Sequence, residues 1–176
     1  MLEASELADM YIYFVGRGAR TEALLLAFAV NVPLRISEIL RLNKESIKKD
    51  EAGNISVPFR NKWFKLNSIA SSVISLAMKS SDGDEIFGIT RQWFHHQLVK
   101  ASSEIGIDRV TPEVLRITYG RTAFNAGASI SQLREVFGHR KLSFTKEYLS
   151  LPSRSGRLRI DLSKVEVSFS RRPPEI

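Results

Sequence analysis

An α+β fold, mostly helical with one small antiparallel sheet, is predicted by three features of the sequence. Apolar residues recur at helical spacing along most of the chain, one stretch from Asn54 to Asn67 is instead rich in β-formers, and helix-start and helix-stop residues punctuate the second half. The 176 residues, 43% apolar and 26% charged, suffice for one core of ordinary domain size and describe a globular chain.

The elements follow in order. A first amphipathic helix is expected over about Ser5 to Val15. A second is expected over about Thr21 to Val30, where Leu24, Leu25, Phe28 and Ala29 share a face. Pro33 interrupts the pattern, and a short third helix carries Ile36, Ile39 and Leu40 on one side. Ile55 to Phe59 and Trp63 to Leu66 flank Arg60-Asn61-Lys62 as the arms of a hairpin. Pro58 cannot donate to a ladder, so its strand is expected at an edge or bent there. Helix resumes from Ser68 to Met78, yields to the polar loop Ser80 to Asp84, and returns from about Thr90 to Ile105.

Thr111-Pro112 is a helix start, with threonine as cap and proline in the first turn, and that helix runs to about Asn125. Ser129-x-x-Gln132 is a capping box for the next, with Ile130, Leu133, Val136 and Phe137 as its apolar stripe and Gly138 as its stop. A last short helix follows Leu142 and carries Tyr148. Beyond a linker at Pro152 to Gly156, Val165, Val167 and Phe169 alternate with polar residues as in a half-buried strand, ahead of a loose end at Arg171 to Pro174. Trp63 and Trp93 are expected in the core, and the adjacent His95 and His96 as structural or surface residues.

The net charge of +7 favours a polyanionic partner. From Arg134 to Ile176 ten Lys or Arg face five Asp or Glu, which places +5 of the charge in the last quarter. No apolar run approaches the roughly 18 residues of a membrane span, and no basic-then-apolar leader follows Met1. With no cysteine, a disulfide scaffold and a thiolate metal site are excluded. A cytoplasmic or nucleoid location is the expectation.

Three boxes carry the chemistry. Pro33-Leu34-Arg35-Ile36-Ser37-Glu38-Ile39-Leu40 resembles the first arginine box of the tyrosine recombinases, also called phage-type integrases, with Pro33 where glycine is common. Thr111 to Phe124, TPEVLRITYGRTAF, resembles the second, and GHRKLSFTKEYL, in which Tyr148 stands nine positions after His139, resembles the third. The resemblance covers about Ala23 to Leu149. It implies a largely helical catalytic domain over residues 1–152 with its small sheet near residues 45 to 67, and a tail over 153–176 whose Ile160 to Ser170 stretch docks on a neighbouring subunit. The N-terminal DNA-binding domain usual in the family is expected to be absent, so the chain reads as a fragment or a minimal recombinase.

The resemblance further implies the site residues. Tyr148 matches the covalent nucleophile, Arg35 and Arg116 the clamp on the phosphate, and His139 a further hydrogen-bond donor to it. The family's general acid is a lysine on a hairpin turn; Lys62 is the candidate and Lys65 the second choice. Guanidinium forks stay charged at physiological pH and match a phosphate's oxygens, and the phosphotyrosine stores the bond energy. Neither metal nor nucleotide cofactor is therefore expected. Double-stranded DNA is the expected partner, with self-association on it from dimer to tetramer.

Two positions depart from the family pattern. Glu113 stands where histidine or lysine is usual, three residues before Arg116, and Ile117 follows that arginine. As the second residue of its helix, Glu113 complements the helix dipole by about 0.3–1 kcal/mol, the role preferred for it here. A site-specific recombinase is the first functional reading, a catalytically weak or inactive DNA-binding relative the second, and a helical interaction protein the third.

Overall fold

The computed structural model describes residues 1–150 and 161–167. Helices α1 (Ala4–Gly16), α2 (Arg20–Ala29) and α3 (Ile36–Ile39) lead into a three-stranded antiparallel sheet of β1 (Lys48–Lys49), β2 (Ile55–Phe59) and β3 (Lys62–Lys65). Then come α4 (Ser68–Ser80), α5 (Arg91–Glu104), α6 (Pro112–Asn125), α7 (Ile130–Phe137) and α8 (Leu142–Tyr148). Among the described residues no helix is long and apolar enough to cross a membrane.

The caps explain the boundaries. Thr90, Thr111 and Ser129 each accept a hydrogen bond from a backbone N–H of the first turn they precede, and Gly138 ends α7 at φ 69°, in the left-handed region that favours glycine. Strand β2 is the middle strand, yet β1 pairs only with Ile55 and Ser56. Pro58 therefore lies beyond the reach of β1, and its missing N–H disturbs no ladder on that side.

Two apolar clusters make the core. The larger joins α1, α2, the inner face of the sheet, α4 and α5; the smaller gathers Tyr119, Phe124, Ile130, Leu133, Phe137 and Leu149. Helix α6 belongs to both, with Leu115 in the first and Tyr119 onward in the second. The turn of α6 that holds Arg116 thus crosses the seam between them.

Neither tryptophan is in the core: Trp63 is 47% and Trp93 49% exposed. The register of the hairpin accounts for the first, since Val57 pairs with Phe64 on the inner face and Trp63 falls opposite Pro58 on the outer one, under the Lys48 ammonium 3.9 Å from its ring. Trp93 lies on the outer side of α5 and donates its indole N–H to Glu22 at 2.7 Å, an arrangement that suits a ring with one polar edge.

The terminal strand is also corrected within the described residues. Leu162–Lys164 is a 3-10 turn, and although Val165 and Val167 are buried and alternate with exposed Lys164 and Glu166, no strand partners them. Their backbone is clasped by two amides instead. Asn67 donates to the carbonyl of Val165 at 2.7 Å and to Asn31 Oδ1 at 3.1 Å, while Asn31 Oδ1 accepts from the N–H of Val167 at 2.9 Å. The linker, Phe169 and the Arg171 to Pro174 end fall outside the described residues. Asn67 is also the cap of α4, accepting from the N–H of Ala70 at 2.7 Å. Asn67→Ala is expected to cost about 1–3 kcal/mol by removing a cap and orphaning buried partners, read as a lower midpoint in urea with the m-value unchanged.

Candidate active site

Arg116 is the centre of the seam. It is 5% exposed, and its Nε donates to the carbonyl of Pro33 at 2.9 Å while Nη2 donates to the carbonyl of Phe137 at 3.5 Å. Its guanidinium also lies 4.6 Å from the Phe137 ring centroid, a cation–π contact. One side chain thereby ties the Pro33 turn to the end of α7. Burial works against its charge and Arg35 adds to that, while Tyr148 and Glu113 favour the charged form.

Arg35 stands just before α3 and is exposed. Its backbone N–H is held by the Glu38 carboxylate at 2.6 Å, which fixes the turn and leaves the guanidinium free to face outward. Arg35 and Arg116 line a cavity of about 430 Å³ together with Glu113, Arg91 and His95. Glu113 thus faces the two arginines as well as occupying the first turn of α6. His95 was expected as a structural or surface residue, and His96 is exposed; the spacing of Arg91 and His95, one turn apart on α5, brings both to the cavity.

His139 follows Gly138 and shares a hydrogen bond with Thr145, Nδ1 to Oγ1 at 3.0 Å. Its ring stands edge-on to Tyr148 at 5.1 Å between centroids. Its pKa is lowered from the ordinary histidine value, first by burial and then by the charges of Arg116, Arg35 and Arg60, with Glu113 opposing. The hydrogen bond to Thr145 orients the imidazole.

Tyr148 closes α8 with its ring packed on Phe137 at 5.4 Å. Its hydroxyl oxygen is buried without a hydrogen bond of good geometry, although Glu113 and Arg116 lie close enough to act on it. The phenol pKa is pushed well above the ordinary value by burial first and by Glu113 second, while Arg116 pulls it down. Glu113 and Arg116, both of which line the cavity, thus act on the Tyr148 proton in opposite directions.

The structure brings Arg35, Arg116, His139, Tyr148 and Glu113 to one seam. Lys62 is not among them: it opens β3, is exposed, and lines the hairpin groove with Phe59, Arg60 and Phe64. Lys65 lies on the outer face of the sheet, opposite Ser56. The hairpin residue that reaches the site is Arg60, whose Nη1 donates to the carbonyl of Glu135 at 3.2 Å. Arg60, Thr145 and His95 were missed because their roles depend on how separate elements meet.

A profile of the Phage integrase family matches residues 2–153. The chain is 28% identical to a tyrosine recombinase XerC of Roseiflexus castenholzii over 151 residues, covering 75% of this chain and 48% of that protein. It is 21% identical to the probable integrase/recombinase YoeC of Bacillus subtilis, covering 83% of this chain and 86% of that one. Among solved structures it is similar to the XerA recombinase, with TM-score 0.66 and 17% identity over 87% of this chain and 59% of the other. It also resembles the Tn1549 transposon integrase in complex with circular intermediate DNA, with TM-score 0.63 and 13% identity over 83% and 60%. The chain thus spans about half of the XerC protein it matches and about three-fifths of these two structures. With three motif boxes, one seam and a family profile across nearly all the described residues in agreement, the chain belongs to the phage integrase family.

Proposed function

We propose that residues 1–152 are the catalytic part of a site-specific DNA recombinase that cleaves and rejoins duplex DNA through a 3′-phosphotyrosine intermediate. The observation that carries this reading is the meeting of two guanidiniums, an imidazole and a phenol with a buried hydroxyl at one seam. The Tyr148 oxygen forms a bond to phosphorus, the bond from phosphorus to the 5′ oxygen breaks, the phenolic proton passes to a base, and the departing oxygen takes up a proton. Religation reverses each transfer. Arg35 and Arg116 stabilise charge on the non-bridging oxygens, and His139 adds a hydrogen bond to them.

Duplex DNA as partner is supported by the net charge of +7 and by likeness to the Tn1549 transposon integrase, solved in complex with circular intermediate DNA. Assembly of two to four copies on the DNA, and the nucleoid as place of work, belong to the same reading. The test is a nicked duplex that traps the cleaved state, incubated with the protein in EDTA and without nucleotide. A detergent-resistant protein–DNA adduct is expected; binding with no adduct at any pH overturns the reading.

A second reading, a catalytically weak relative, is favoured by the Glu113 carboxylate, which acts on both Tyr148 and Arg116. A negative charge there repels the phosphate and holds the phenol protonated. Glu113→His is expected to raise the rate of adduct formation by about tenfold or more, the equivalent of one pKa unit on the nucleophile. A rate in Glu113→His equal to or below the parent's contradicts this reading.

A further inference from the structure

The turn of the hairpin is built in an unusual way. Phe59 pairs with Lys62, so only Arg60 and Asn61 join the strands, and Arg60 adopts φ 55°. The left-handed region at such a turn favours glycine or asparagine, and a long side chain occupies it at a cost of roughly 1–3 kcal/mol. What the turn gains is a placed guanidinium. A Cβ built on Gly138 would lie 1.9 Å from Arg60 Nη2 and 2.4 Å from its Cζ, so the absence of a side chain at 138 is what lets the guanidinium lie against the backbone beside His139. Together with Arg116 and Arg35, Arg60 is one of the three cations acting on His139.

We infer that Arg60 is the hairpin's phosphate-binding cation, a third guanidinium that contacts a non-bridging oxygen of the phosphate attacked by Tyr148, in the place where Lys62 was expected. This rests on the strand-transfer reading above. Arginine keeps its protons at physiological pH, so Arg60 acts by charge and hydrogen bonding and the 5′ oxygen takes its proton from another donor, Lys62 or water. The bond of Arg60 to the carbonyl of Glu135, near the end of α7, is a resting contact that the phosphate replaces.

A purely structural role, capping α7, predicts something different, and three proteins separate the two: the parent, Arg60→Ala and Arg60→Lys. Adduct formation on the nicked duplex is expected to fall about 10²-fold in Arg60→Ala and less in Arg60→Lys, which keeps the charge without the fork. Circular dichroism and the urea midpoint are expected to show Arg60→Ala folded. By NMR, the His139 imidazole in Arg60→Ala is expected to titrate at higher pH, because a neighbouring cation has gone. A 5′-thio substrate, whose leaving thiolate needs no proton, is expected to leave the Arg60→Ala defect in place.

No adduct from the parent overturns the strand-transfer reading and this inference with it. Full adduct formation by Arg60→Ala, with only its stability lowered, overturns this inference alone. So does rescue of Arg60→Ala by the 5′-thio substrate, which would put the side chain at the leaving group.

Discussion

Replacing Arg116 is expected to have the largest combined effect on stability and adduct formation. Its side chain is nearly enclosed, bonded to the carbonyls of Pro33 and Phe137, and stacked on the Phe137 ring. Arg116→Ala leaves two buried acceptors unpaired and a void at the seam, at a cost of about 2–4 kcal/mol. A thermal melt of Arg116→Ala is expected to shift down by roughly 4–16 °C, at about 2–4 °C per kcal/mol for a chain of this size. Arg116→Lys separates the two roles. It keeps a positive charge but cannot hold both carbonyls and still present a fork to a phosphate. Part of the stability is expected to return in Arg116→Lys while adduct formation stays about 10²–10³-fold below the parent. Recovery of adduct formation in step with stability would show that Arg116 is structural only.

Tyr148→Phe is expected to behave in the opposite way. The hydroxyl is buried beside Arg116 and Glu113 without a well-formed hydrogen bond, so its removal breaks no strong bond within the fold. Stability is expected to be unchanged or slightly higher, and binding to duplex DNA, with its dependence on salt, is expected to persist. Adduct formation is expected to fall by more than about 10³-fold, as when a nucleophile is deleted. The raised pKa of the parent phenol, caused by burial and by Glu113, has a further consequence. Across the neutral range the phenol is protonated and must lose its proton as it attacks, so the parent's adduct rate is expected to rise with pH through that range.

The elements were legible where local chemistry decides them. Thr111-Pro112 and the Ser129 cap with its Gly138 stop mark α6 and α7 because capping needs only residues within one turn. Arg35, Arg116, His139 and Tyr148 were legible as candidates because they sit in boxes whose order resembles a family. Helix α6 itself shows little amphipathic pattern, since Leu115, Arg116, Tyr119, Gly120, Ala123 and Phe124 are buried against two different clusters. A residue buried at a seam looks like a polar interruption in the sequence.

Other features depend on long-range registration. Whether Lys62 or Arg60 reaches the site turns on the left-handed conformation of one turn residue and on the bare backbone of Gly138, 78 positions later. The direction of Glu113 follows from where α3 and α5 meet the start of α6, which no helix-dipole argument contains. The backbone of Val165 and Val167 is satisfied by Asn31 and Asn67 rather than by a strand, and side-chain amides leave no periodic trace. In each case the deciding partner lies in another element.

Strand transfer requires that the Tyr148 oxygen become bonded to DNA phosphorus. That bond is tested most directly by digesting the trapped adduct with protease and nuclease and locating the nucleotide-bearing peptide by mass spectrometry. A single modified peptide containing Tyr148 is expected, formed in EDTA without nucleotide and missing from Tyr148→Phe. A modified peptide lacking Tyr148, or equal adduct from Tyr148→Phe, would contradict it.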